Sequence, residues 1–89
     1  MDIKELRKDI DKIDKSMVDL FIKRMEVVKQ IAIYKKENNL PIFDETRELE
    51  VISKNSSLVN EELKEYYVEF LKALMNESKK YQKQVLGDK

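Results

Sequence analysis

Three polar residues stand where the apolar pattern of this chain asks for apolar ones: Arg24, Ser78 and Gln82. Arg24 takes the heptad slot between Leu20 and Val27, and a guanidinium in a helical seam is costly unless it is paired. It is either an arginine that sets register and snorkels to water, or an anion ligand. Lys35 shares its face, about 20° further round a helix and roughly 16 Å along it. Two long cationic side chains reaching toward each other across that gap leave room for a small ligand, over an apolar floor of Val28, Ile31 and Ala32. Ser78 and Gln82, spaced i, i+4, continue the stripe of Leu71 and Met75. Uncharged polar groups on such a stripe need buried hydrogen-bond partners, whether backbone, water or ligand.

A second cluster lies in LPIFDETRELE, Leu40 to Glu50, which holds the only proline. Asp44, Arg47 and Glu48 fall at i, i+3, i+4 and so share one side of a helix. They are either an N-cap with surface ion pairs or part of the same site; Glu45 and Glu50 read as solvated. Arg7 is a further cation on the flank of the first stripe, but it lies roughly 25 Å along the helix from Arg24. In its own chain it cannot reach the same place. In an antiparallel pair of long helices, the start of one lies beside the second half of the other, so Arg7 of one subunit can complete the pocket of its partner. Together these residues describe a site for a small dianion that carries a hydroxyl.

Composition narrows the chemistry. The chain has no cysteine and no histidine, which removes a disulfide framework, a thiolate site, the commonest general base and the commonest metal ligand. No cofactor and no metal are expected. Eighteen basic residues balance eighteen acidic ones, so there is no net field to hold a nucleic acid, and no basic patch is visible. No apolar run is long enough to span a bilayer and no leader pattern is visible, so a soluble cytoplasmic protein without a membrane partner is expected.

The elements that must position these residues are helices. At 89 residues, one domain over 1–89 is expected. Forty per cent charge with a single Gly and a single Pro is the composition of long amphipathic helices. Ile3, Leu6, Ile10, Ile13, Met17, Leu20, Val27, Ile31 and Tyr34 form a heptad with no breaker before Asn38-Asn39 and Pro41. The pattern predicts one helix over Asp2–Asn38, roughly 55 Å long. A compact globule of this length is only about 30 Å across. The helix must overhang its own domain, and its apolar stripe calls for a second chain, most simply a two-fold dimer. Asn38 to Phe43 is the expected connector. Asp44 should cap a short second helix with Leu49 and Ile52 inward, ending in the polar stretch Ser53 to Ser57. Asn60 is the expected cap of a third helix with the stripe Leu63, Tyr67, Phe70/Leu71, Leu74/Met75, Ser78, Tyr81/Gln82, Val85; Gly87 and the charged tail close it. The fold class is all-α: one very long, one short and one long helix, in an intertwined homodimer.

Four segments in register, LRKDIDKID (Leu6–Asp14), FIKRMEVVKQIAIYK (Phe21–Lys35), DETRE (Asp44–Glu48) and ESKKYQ (Glu77–Gln82), resemble the all-helical class of chorismate mutases. The resemblance covers nearly the whole chain, with no polar position of the family replaced. It implies that Arg24 binds a substrate carboxylate and that Arg7 of the other subunit binds the second carboxylate region. It implies that Lys35 and Gln82 donate to the ether oxygen of the breaking C–O bond, and that Glu48 accepts from the ring hydroxyl. Asp44 then contributes at the mouth, while Arg47 and Ser78 complete the carboxylate contacts. Dehydratase-type or regulatory domains often fused to this module are not visible, so a monofunctional form is expected. An isochorismate-pyruvate lyase looks like the same scaffold with a similar Arg/Lys/Gln set, but the Asp44–Arg47–Glu48 trio favours the mutase. A non-catalytic helical dimerisation module explains the heptad and the length, but not the inward Arg24, Ser78 and Gln82.

Overall fold

The computed structural model of the chain describes residues 2–87. Helix α1 runs Ile3–Glu37, α2 runs Glu45–Ser56, a single 3-10 turn occupies Glu61–Leu63, and α3 runs Lys64–Val85. The all-helical class and the sequence of one very long, one short and one long helix are as expected.

Each boundary has a local cause. At the start of α1 the Asp2 carboxylate accepts the Glu5 N–H at 3.0 Å, satisfying one of the backbone donors a helix start leaves free. At its end Asn39 takes a left-handed φ of 55°. The Leu40 N–H then donates to the Lys35 carbonyl at 2.8 Å and the Asn39 N–H to the Lys36 carbonyl at 3.3 Å, the paired bonds of a Schellman stop. The helix therefore closes at Glu37, with Asn38 as its cap, before Pro41 is reached. The proline only prevents it from resuming.

Helix α2 ends within the polar stretch Ser53 to Ser57 as expected, with Ser56 its last residue and Ser57 its cap. The Ser56 and Ser57 hydroxyls donate back to the Ser53 and Lys54 carbonyls at 3.3 and 2.6 Å, which closes the last turn. Two other expectations are corrected. Leu49 does not face inward; it is 59% exposed. Glu48, Val51, Ile52 and Asn55 form the less exposed face, and Leu49 sits about 100° round from Glu48. Asn60 makes no side-chain cap; its carbonyl accepts the Leu63 N–H at 2.9 Å, and the 3-10 turn leads into α3. Gly87, at φ 80°, follows the cap residue Leu86 and closes α3 as its position suggests.

Helices α1 and α2 each pack on α3 and not on each other. The core is thin: Val28 and Ala32 of α1 with Leu71 and Met75 of α3 are the buried apolar residues among those described. The contact face of α1 is therefore the line of Arg24, Val28, Ala32 and Lys35, and the heptad stripe, Ile31 at its edge excepted, is turned away from it. Ile3, Leu6, Ile10, Ile13, Met17, Leu20, Val27, Ile31 and Tyr34 are all exposed. Every residue from Asp2 to Lys23 is exposed, so the first half of α1 projects beyond the rest. The radius of gyration of 16.1 Å exceeds the value of about 12 Å for a compact domain of this length, and the longest extent is 54 Å.

Candidate active site

The contact between α1 and α3 opens at one end into a cleft of about 320 Å³, lined by both helices, the connector and the first turns of α2. Val28, Ile31, Ile42, Val51 and Met75 give it an apolar lining, and Arg24, Lys35, Asp44, Arg47, Glu48, Ser78 and Gln82 bring polar groups to it. Seven of the eight residues singled out in the sequence thus meet in one place. Arg7 does not; it is exposed on the overhanging half of α1, far from the cleft of its own chain.

Arg24 spans the helix interface. Its Nη1 donates to the Ser78 hydroxyl oxygen, and that hydroxyl donates to the Leu74 carbonyl at 2.9 Å. Ser78 is buried at 4% exposure, so the two bonds satisfy it and fix the guanidinium against α3. Burial of Arg24 holds its pKa below the ordinary value, with the nearby Tyr67 opposing the effect in part. A guanidinium still remains protonated across the physiological range, so the cleft has one fixed, partly desolvated positive charge.

Lys35 lies one helical end further on. Its Nζ donates to the Ile42 carbonyl at 2.9 Å, tying the connector to α1, while the other ammonium N–H groups remain available. Gln82 is 7% exposed, and among the described residues its buried Oε1 has no hydrogen-bond partner. A buried amide oxygen without a partner is uncommon and costly.

From α2, the Asp44 carboxylate accepts the Arg47 N–H at 3.0 Å and the Asp44 carbonyl accepts the Glu48 N–H at 3.0 Å. Asp44 thereby fixes the first turn that carries Arg47 and Glu48. The Arg47 side chain reaches outward to Glu50, Nη1 to Oε1 at 2.7 Å, with side chains 62% and 60% exposed. Exposed pairs of this kind are weak, so the guanidinium is free to turn into the cleft. Glu48 is held differently, its Oε2 lying 3.0 Å from Lys79 Nζ.

Lys79 is the charged lining residue that sequence reasoning missed. It is one position from Ser78, at the edge of the inward stripe, where a lysine is usual. Its partner Glu48 is remote in sequence, and no local pattern joins them. Ile42 and Val51 were missed for a similar reason: single apolar residues in a connector and on a short helix carry no periodic signal.

These helices and this recess define an all-helical protein with one predominantly cationic cleft at the contact of its two long helices. The chain belongs to the chorismate mutase type II family, which it matches over residues 6–83. It is 34% identical over 97 aligned positions to the bifunctional chorismate mutase/prephenate dehydratase of Aquifex aeolicus, an alignment that covers 99% of this chain and 27% of that protein. It is 38% identical over 50 residues to the T-protein of Haemophilus influenzae, covering 56% of this chain and 13% of that protein. The chain thus spans about a quarter or less of the length of these curated relatives. No solved structure is significantly similar to it. Among the described residues no helix is long and apolar enough to cross a membrane, and no cluster of acidic side chains is arranged to hold a metal ion.

Proposed function

We propose that this chain is a chorismate mutase of the cytoplasm, converting chorismate to prephenate in phenylalanine and tyrosine biosynthesis, with residues 1–89 acting as one helical module. The observation that carries the reading is the convergence of Arg24, Lys35, Glu48, Ser78 and Gln82 on one cleft in a member of the chorismate mutase type II family. The rearrangement is a concerted pericyclic shift. It needs no nucleophile and no proton transfer, in keeping with a chain that lacks Cys and His.

Catalysis then consists of orientation and electrostatics. Arg24, already anchored on Ser78, binds one substrate carboxylate with its free N–H groups, and Arg47 turns in from Glu50 to assist. The Lys35 ammonium, fixed at its far side by Ile42, and the Gln82 amide donate to the ether oxygen as negative charge develops there. Donors placed in advance lower the barrier because they need no reorganisation during the reaction. Glu48 accepts from the ring hydroxyl, Asp44 closes the mouth, and the apolar lining holds the enolpyruvyl side chain over the ring.

The cleft is completed by a second copy. The chain exposes 7635 Å², whereas a compact chain of this mass exposes about 5,500 Å². The excess is of the order of a substantial interface, and it includes the outward heptad of α1. In the homodimer Arg7 of one subunit reaches the second carboxylate region in the cleft of the other. Nucleic acid and membrane have no part in this reading.

Following chorismate by absorbance with the purified chain tests the activity, with isochorismate as the parallel substrate for the lyase alternative. Mixing Arg7→Ala with Lys35→Ala subunits tests the shared site. Each is inactive alone, and heterodimers regain sites with both native residues. Heterodimers that form without regaining activity contradict it.

A further inference from the structure

Among the described residues the ion pairs Arg47–Glu50, Lys64–Glu61, Lys72–Glu69 and Lys80–Glu77 are all local i, i+3 pairs. Lys79–Glu48 alone joins residues distant in the sequence, one on α3 and one on α2. Its side chains are also the least exposed, at 24% and 25%, with Nζ to Oε2 at 3.0 Å. On its other side the ammonium lies 4.6 Å from the centre of the Phe43 ring, within the range of a cation–π contact. The connector residue before the α2 cap, the first turn of α2 and the α3 face that carries Ser78 and Gln82 are therefore joined through one lysine.

We infer that Lys79 is a positioning residue for the reaction: it holds one oxygen of Glu48, with Phe43 as its seat, so that the other oxygen is presented to the substrate hydroxyl. The inference rests on the reading of Glu48 as the hydroxyl acceptor. A glutamate on the first turn of a short helix has three free torsions and faces a cleft whose cations, Arg24, Lys35 and Arg47, would otherwise draw it inward. A carboxylate collapsed onto Arg24 or Lys35 would occupy the groups meant for the substrate. Lys79, on the α3 wall, holds it at the rim instead. Partial burial on both sides makes this pair less screened than the exposed ones, and the ring removes much of the lysine's own freedom.

The test is a double-mutant cycle on chorismate turnover, with kcat and KM measured for Lys79→Met, Glu48→Gln and the combination. Lys79→Met should lower kcat/KM by about three- to tenfold in the native background, the range of coupling for a contacting pair. In the Glu48→Gln background it should change kcat/KM by less than about twofold. Lys79→Arg, which keeps both the charge and the ring contact, should stay within about threefold of the native chain. Phe43→Leu should cost about twofold with Lys79 present and nothing in the Lys79→Met background. Equal losses from Lys79→Met in both backgrounds would mean that the lysine meets the substrate itself or acts only on the fold, and would overturn the inference alone. No loss in the native background overturns it as well. If Glu48→Gln turns over chorismate like the native chain, the role given to Glu48 fails first, and this inference with it.

Discussion

Replacing Lys35 by Met separates the two tasks this residue has. The substitution keeps a long apolar stem in the cleft that Val28 and Ile31 also line and deletes the ammonium. The structural loss is the partly buried bond to the Ile42 carbonyl at 2.9 Å. A charged hydrogen bond contributes about 1.5–3 kcal/mol when well buried, and about 1 kcal/mol is apt here because water in the open cleft can replace the donor. For a chain of this size that lowers Tm by about 4–8 °C. The catalytic loss is larger. Removing one preorganised donor to a developing oxyanion costs about 3–4 kcal/mol, or on the order of 10²–10³ in kcat. The assay is chorismate consumption by absorbance, run well below the melting temperature measured on the same preparation. Folded Lys35→Met should retain at most about 1% of native kcat. Folded variant with kcat within about threefold of native would show that Lys35 only fastens the connector, and would refute its role at the ether oxygen.

Activity should be flat between about pH 6 and 8, because the chain has no histidine and Gln82 does not titrate. Burial lowers the pKa of Arg24, so the unfolded state binds more protons only in the strongly alkaline range between the native and ordinary values. Stability rises with pH there, and near neutrality both states are fully protonated and the slope is zero. In Gln82→Glu the new side chain donates only when protonated, so kcat should rise on acidification, by at least about tenfold from pH 8 to pH 5; a profile as flat as the native one would contradict the donor role. Asp44→Ala removes the cap on Arg47 N–H and should lower stability by about 1 kcal/mol, whereas Asp44→Asn should lose little; thermal melts distinguish the two. Leu6→Asp with Ile10→Asp places charge on the outward heptad of α1 and should convert a dimer to monomers by sedimentation while leaving the helix content high; an unchanged sedimentation rate would contradict the stripe as the dimer surface.

The sequence by itself determined the elements and most of what they carry. Asp2 and Asp44 cap by bonds to their own third neighbour, Asn39 and Gly87 end helices through their own backbone angles, and the stripe from Leu71 through Gln82 follows from 3.6-residue periodicity. All of this is encoded within one turn of chain, so it can be read along the chain. Ser78 and Gln82 were legible for the related reason that a polar side chain on an inward stripe breaks a local pattern; Arg24 was singled out as a break in the heptad, which turns outward, whereas it belongs to the neighbouring inward line with Val28 and Ala32. Only the tertiary structure decided which stripe of α1 meets α3: Arg24, Val28, Ala32 and Lys35 do, and the heptad that dominates the sequence faces away. The outward turn of Leu49, the Lys35 bond to the Ile42 carbonyl, and the Phe43–Lys79–Glu48 chain were settled there too. Each depends on where one helix crosses another, and a shift of a single residue, about 100° round a helix, exchanges one set of neighbours for another without changing any local preference.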